Sequence, residues 1–372
     1  MAASVRDVVV AGAGPLGLLV ATLLARGGRD VLVLERRPLP RDKACGEGLM
    51  PRGVERLSRL GVLDVISAAD RAPFRGIRFV QEDGAHVTAC FPGGGTGWGI
   101  QRAALSQALW LEARAAGVEV RAGEGVTGFD QDGSTVRVRT SSTEVETRFF
   151  IGADGLHSFV RRHAGLQVPE KSGALRRSGA RRHFEIAPWS EFVEVHLAEG
   201  AEAYVTPCGT GHVGVALLWE AQLPKGLGYD GLLREKFPAL WSQVAGREAG
   251  EVLGSGPFHQ RARRLVDGRL ALLGDAGGYE DALTGEGLAM GFAAAEELAS
   301  AVLQALDMHT GAVQRGALLN WESRQRRRFR RYEMTARGLL ALVRRPALRR
   351  RVMGVMGSRG DAASALLGWT MG

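Results

Sequence analysis

The run Val8-Val9-Val10-Ala11-Gly12-Ala13-Gly14-Pro15-Leu16-Gly17 leaves this chain few folds to choose from. A short β-branched stretch reads as a buried strand, and the three glycines follow at the G-x-G-x-x-G spacing. An apolar helix comes next (Leu18, Leu19, Ala21, Leu23, Leu24), then a second strand, Val31-Leu32-Val33-Leu34, ending in Glu35. In such a unit Gly12 permits the tight turn, Gly14 lets the backbone approach a pyrophosphate, and Gly17 lets helix and strand pack closely. Pro15 and Leu16 open the helix, whose free N–H groups and positive dipole end face the phosphates. Glu35 stands where a carboxylate accepts the hydroxyls of an adenosine ribose, and Arg36 follows it at the same rim. An acid there disfavours a 2′-phosphate, so FAD or NAD is expected rather than NADP.

The rest of the chain bounds the class. Its 372 residues are enough for one large or two interleaved domains, and 45% apolar with 24% charged residues is ordinary for a globular protein. No apolar run approaches the roughly 20 residues of a membrane span, and the first strand begins almost at once, so no signal peptide is expected. Cys45, Cys90 and Cys208 are few and far apart, which predicts neither a disulfide framework nor a metal site and suits a cytoplasmic setting. The net charge of +8 is concentrated in one place. Between Trp321 and Arg351 stand twelve arginines and two glutamates, so the remainder is near neutral and no nucleic-acid partner is expected.

Along the chain, a loop without periodicity (Arg36 to Gly48) contains Cys45-Gly46-Glu47-Gly48, and a helix is predicted from Pro51 to about Leu63. Residues 76–91 read as a hairpin turning at Asp83-Gly84. A glycine-rich link, 93–99, leads to a helix from Arg102 to Ala116, and three strands follow near 118–121, 134–140 and 145–151. Ile151-Gly152-Ala153-Asp154-Gly155 is a second strand-to-turn. Antiparallel strands are predicted over 180–219 and an exposed helix over 232–244. Leu270 to Ala276 is a buried strand ending in a third turn, Gly274-Asp275. Thr284-Gly285-Glu286-Gly287-Leu288 then opens a long apolar helix. The predicted class is α/β: a Rossmann-type dinucleotide-binding domain (1–70, 101–167, 266–310) interleaved with an antiparallel-sheet substrate domain (71–100, 168–265), plus a basic helical segment (311–372).

The three turns in this order resemble the fingerprint of the flavoprotein family that includes para-hydroxybenzoate hydroxylase and the geranylgeranyl reductases, over about residues 5–305. The resemblance implies FAD: Gly12–Gly17 and Glu35 on its ADP half, Asp275 on the ribityl chain, and the helix after Gly285-Glu286-Gly287 facing the flavin N1–C2=O edge. It also implies that Asp154 braces the pyrophosphate region and that Arg102 contacts the pyrophosphate. Cys45-Gly46 matches the glycine-rich stretch that in geranylgeranyl reductases lies beside the isoalloxazine ring. Two departures are visible: Ala282 replaces a proline common in the late motif, and the reductases' aromatic strand is reduced to Tyr204-Val205-Thr206-Pro207.

A second nucleotide motif is absent, which suits NAD(P)H bound only transiently as reductant. The resemblance therefore implies a single-component monooxygenase that hydroxylates a phenolic, quinone-like or polyketide small molecule with O2. The alternative is a flavin-dependent reductase that saturates isoprenoid or polyketide double bonds. Cys45 and Tyr204 are the pocket candidates, each with a packing role open to it, and no catalytic base is assigned. Phe329, Tyr332, Ala336, Leu339 or Leu340, and Val343 recur at helical spacing among the arginines, up to Pro346. That helix reads either as a solvated cap or as an interfacial helix on the anionic inner membrane surface, suited to a lipophilic substrate.

Overall fold

The computed structural model describes residues 5–169, 177–220, 226–281, 285–307, 311–357 and 364–365. Five parallel strands run side by side in the order Glu119–Ala122, Val31–Glu35, Arg6–Ala11, Glu144–Gly152 and Leu270–Leu272, with Val266–Asp267 antiparallel at the end. Val8, Val9, Val10, Leu32 and Val33 are wholly buried, as both faces of a parallel sheet require. One face is covered by α1 (Pro15–Arg26), which packs against α3 (Arg102–Ala115) and α7 (Gly287–Asp307); α2 (Pro51–Arg59) rests on α7. The other face is covered by Gly128–Gln131, paired to Val136–Arg139, which is itself paired to the long Glu144–Gly152 strand, and by α4 (Phe159–His163).

A second, seven-stranded sheet runs Leu253–Ser255, Arg177–Glu185, His212–Glu220, Ala201–Pro207, Val193–Ala198, Gly76–Val80, His86–Cys90. Its pairs are antiparallel except the parallel join of Val193–Ala198 to Gly76–Val80, where two distant chain segments meet. The outer face (Ala203, Val205, Val213, Val215) packs on α5 (Tyr229–Lys236) and α6 (Pro238–Val244). The inner face (Ile77, Val195, Tyr204, Leu218) meets α8 (Gly311–Val343) and α9 (Pro346–Gly357) through Val343 and Met353. We propose that these two sheets are the cores of the two interleaved domains outlined from the sequence.

The structure departs from the sequence expectation in four places. The helix over 232–244 is broken at Phe237 (φ −135°, ψ 59°) because Pro238 disfavours a helical residue before it, and it is buried on one side through Leu232, Leu233, Leu240 and Val244. The helix after Pro51 ends at Arg59, where Gly61 takes φ +75°. The glycine-rich link contains a strand, Gly97–Ile100, paired to Arg71–Phe74 and Gly48–Leu49. Its glycines are steric: a Cβ on Gly99 would stand 1.7 Å from the Pro207 carbonyl oxygen. Finally, the basic helix is neither free nor evenly solvated. Trp321 is buried and its indole Nε1 donates to the Ala294 carbonyl of α7 at 3.1 Å, while Arg326, Arg337 and Arg344 are ion-paired to Glu322, Glu280 and Glu220. No described helix is long and apolar enough to cross a membrane. Ala282 and Thr284, and the apolar stretch from Ala362 to Trp369 apart from 364–365, lie outside the described residues.

Candidate active site

The ends of the parallel strands gather the three turns along one sheet edge. Gly12 holds φ +104°, and a Cβ there would come 2.5 Å from the Ala153 carbonyl oxygen, so the first turn lies directly against the second. A Cβ on Gly17 would stand 2.0 Å from the Gly12 carbonyl oxygen, which is the close helix–strand approach expected of that position. Gly14 is different: nothing lies within 4 Å of its Cβ position, and it faces an open cavity. Glu35 is buried, accepting from the Ala13 amide at 2.9 Å and the Arg37 amide at 3.0 Å, with Arg41 at 3.3 Å. It thereby fixes the turn and the following loop together. Gly274 (φ +64°) and Gly291 both leave room for Leu16, which would sit 2.4 and 2.7 Å from their Cβ atoms.

The second turn is braced from within. Asp154 accepts from Ser158 Oγ at 2.5 Å and from the Val160 amide at 3.0 Å, capping α4. α4 supplies Arg161, a residue the sequence reading passed over. Its fully buried guanidinium donates to the carbonyls of Leu156 (2.8 Å), Asp275 (3.1 Å) and Ala276 (2.8 Å), and so bolts the second turn to the third. Asp275 opens on the cavity with Lys43 at 3.3 Å.

The loop at Cys45 is anchored by Glu47, which sequence reasoning also missed. Its backbone holds φ +58° and its carboxylate is buried; Oε1 accepts from the Arg102 amide at 2.9 Å and meets Arg181 at 3.4 Å, while Oε2 meets His183 Nε2 at 2.7 Å. Thr206 Oγ1 donates to the Gly46 carbonyl at 2.7 Å, tying the same loop to the second sheet. The only advance signal was an acid set between two glycines. Glu47, His183 and Cys208 lie within 4.8 Å of one another, the kind of group from which metal sites are built, but Arg181 already supplies the counter-charge to Glu47.

One cavity of about 2280 Å³ joins these parts. Of the residues singled out from the sequence, Gly12, Gly14, Pro15, Leu16, Glu35, Arg36, Cys45, Gly46, Arg102, Asp154, Tyr204, Asp275, Gly285, Glu286, Gly287 and Leu288 line it; Gly17 and Gly274 stand behind the wall. Two helix N-termini, those of α1 and α7, therefore face the same long space. Beyond Gly285 the cavity becomes apolar, between the inner face of the second sheet and α8–α9. Within this chamber Tyr204, Tyr279, Asp281 and Tyr332 form a polar spot. Behind it Arg177 pairs with Asp281 at 2.9 Å and with Glu202, all three buried.

Burial governs protonation throughout. It pushes the Glu202 carboxyl up to about 7 despite the Arg177 guanidinium, and holds the Tyr204 and Tyr279 hydroxyls well above their usual range. Desolvation also lifts the Cys45 thiol, outweighing the nearby Arg102, so it is a neutral thiol. Glu286, at the mouth of α7, is raised to about 7 by burial against the opposing pull of Arg52.

A long cavity with an anion-accepting helix end, a buried acid at the second strand and a second helix end fits a dinucleotide with a fused ring. The wider comparisons agree. The chain is 30% identical over 329 residues to menaquinone reductase of Mycobacterium tuberculosis, covering 81% of this chain and 77% of that protein. It is 29% identical over 304 residues to digeranylgeranylglycerophospholipid reductase of Methanosarcina acetivorans, covering 76% and 71%. Among solved structures, the anhydrotetracycline hydroxylase OxyS of Streptomyces rimosus shares the fold with a TM-score of 0.74 at 24% identity, covering 99% and 76%. The profile of the FAD binding domain matches residues 6–335, and the chain belongs to that family, as a FAD-dependent oxidoreductase.

Proposed function

We propose that the protein is a flavin-dependent reductase that saturates a carbon–carbon double bond in a long apolar substrate, such as the isoprenoid chain of a lipid or quinone. The observation that carries this reading is the apolar chamber that continues from the Gly285–Leu288 segment beneath α8–α9, with Ile77, Val193, Val195, Leu218 and Phe258 on its walls. The names of the two reductases at about 30% identity support it. Bound FAD supplies hydride chemistry, refilled from transiently bound NAD(P)H. In this reading the Gly12–Gly17 turn and Arg102 hold the pyrophosphate, Glu35 the ribose, Asp275 with Lys43 the ribityl chain, and the α7 N-terminus the electron-rich edge of the flavin. The chamber excludes water, and neutral Tyr204 and Tyr279 are proton donors at its polar spot.

The same polar spot favours a second reading, hydroxylation of a phenolic, quinone-like or polyketide ring with O2, because buried tyrosines are suited to hold a phenol hydroxyl. One experiment separates the two. Holoenzyme reduced by NADPH under argon is given a prenylated quinone, and the product is reoxidised to the quinone before it is weighed, so that hydrogens taken up by the ring do not count. A gain of two hydrogens without O2 supports the reductase. No product under argon, but incorporation of an oxygen atom from O2 into a phenolic acceptor on aeration, would replace it with the oxygenase.

A further inference from the structure

One stripe of α8 changes character as it passes along the cavity. Arg324, Arg327, Arg328 and Arg331 line it first, and Leu339 and Leu342 line it two to three turns later. The arginines recur at three and four residues, and Leu339 and Leu342 follow eight and eleven residues after Arg331, so all six fall within about a third of the helix circumference. Across the opening, α2 contributes Arg52 and Arg56 to the same lining, with α7 as the floor. The acids within reach are few: Glu286 feels Arg52, Glu296 is paired to Arg56 and Arg59, and Glu297 to Arg324 and Arg328. Arg327 donates to Ser323 Oγ of its own helix at 2.7 Å, and among the described residues neither its side chain nor that of Arg331 is ion-paired to an acid. Both are exposed, as is Met334 beside them. A cationic cleft thus opens directly into an apolar chamber.

This cleft is not where the phosphates of a dinucleotide belong. The pyrophosphate turn is at Gly12–Gly17, and Glu297 lies ten residues along α7 from Gly287, roughly 15 Å of helix. We propose that the cleft between α2 and α8 holds the anionic headgroup, a phosphate or carboxylate, of an amphiphilic substrate whose chain runs under the C-terminal half of α8 into the chamber. The proposal rests on the reading that the chamber takes a long apolar substrate. Arginine is the residue type for such a headgroup, since its planar fork pairs two oxygens at once and keeps its charge beside an apolar wall. A nicotinamide nucleotide, polar along its whole length, would gain nothing from the leucine half of the stripe.

The test reads binding, so it stands apart from turnover. Holoenzyme is titrated with dodecyl phosphate and with dodecanol below their aggregation limits, following the flavin absorbance. The native protein should bind the phosphate at least about tenfold more tightly than the alcohol, the effect of one or two charge-assisted hydrogen bonds. The double variant Arg327→Glu with Arg331→Glu should bring the two within about twofold of each other, leaving dodecanol binding and the rate of flavin reduction by NADPH unchanged. Arg330→Glu makes half that charge change on the same helix but off the cavity stripe, and should keep the preference. No preference in the native protein, an equal loss in Arg330→Glu, or a loss confined to NADPH would overturn the proposal. Co-sedimentation with phosphatidylglycerol vesicles but not phosphatidylcholine vesicles, abolished in the double variant, would identify the headgroup's source as membrane lipid. Tight dodecyl phosphate binding without vesicle binding would identify it as a free amphiphile.

Discussion

Gly14 has nothing within 4 Å of the position its side chain would occupy, whereas the Cβ of Gly12 or Gly17 would collide with backbone. The three glycines of one motif therefore do different work, and substitutions separate them. Gly14→Val should fold with little loss of stability yet fill the space through which a pyrophosphate reaches the turn. We expect the purified variant to be colourless, with FAD affinity down at least about a hundredfold, roughly the 2–3 kcal/mol of lost charge-assisted hydrogen bonds. A variant that stays yellow would show that the phosphates sit elsewhere. Gly12, Gly14 and Glu35 were legible in advance because a turn, a helix start and a strand-end acid leave a fixed spacing in one short stretch. Glu47 and Arg161 were not, because their partners (Arg181 and His183 for one, Asp275 and Ala276 for the other) are over a hundred residues away in sequence. An isolated charge in a sequence carries no sign of the distant carbonyl or guanidinium that will satisfy it.

At the scale of elements, a buried cation ties α9 to the second sheet in addition to its apolar packing there. Arg349 is 1% exposed, donates to the Val343 carbonyl at 3.3 Å where α8 ends, and pairs with Glu82 in the turn between Gly76–Val80 and His86–Cys90 at 2.6 Å. Met353 and Met356 of the same helix pack on the chamber wall. Arg349→Ala should cost about 1–3 kcal/mol of stability, the range for stranding a buried hydrogen-bonded partner. It should also admit water and oxygen to the chamber, so peroxide formed per NADPH consumed should rise. An unchanged peroxide ratio would mean that α9 does not shield the flavin. The helical spacing of Phe329 to Val343 announced this element, but the arginines around it concealed its partners. Basic residues read as solvated until their carboxylates, scattered over residues 220, 280, 297 and 322, are brought alongside.

Over the whole molecule, the buried trio Arg177, Glu202 and Asp281 contributes to how stability responds to pH, and Glu286, also raised to about 7, acts in the same sense. A carboxyl raised from 4.5 to about 7 in the folded state binds its proton more tightly there than in the unfolded chain. Its contribution to stability is therefore complete below about pH 4.5 and is lost as pH climbs towards 7. Glu202→Gln removes this dependence, so the fall in Tm between pH 5 and pH 8 should be smaller in the variant than in the native protein. An identical fall in both would show that Glu202 is ionised throughout. Using the difference between the two proteins cancels groups that act in the opposite sense, such as Glu280, which is held down at about 2 by His259 and Arg337.

The parallel join of Gly76–Val80 to Val193–Ala198 also sets a timetable for synthesis. The earlier strand leaves the ribosome more than a hundred residues before its partner exists. At roughly 5–20 residues per second, that leaves an unpaired edge waiting for several seconds or more. The third turn and the N-terminus of α7 emerge later still, near residues 274 and 287. The flavin seat proposed above is therefore complete only when most of the chain has been made, so FAD bound there cannot template the folding of the first strands.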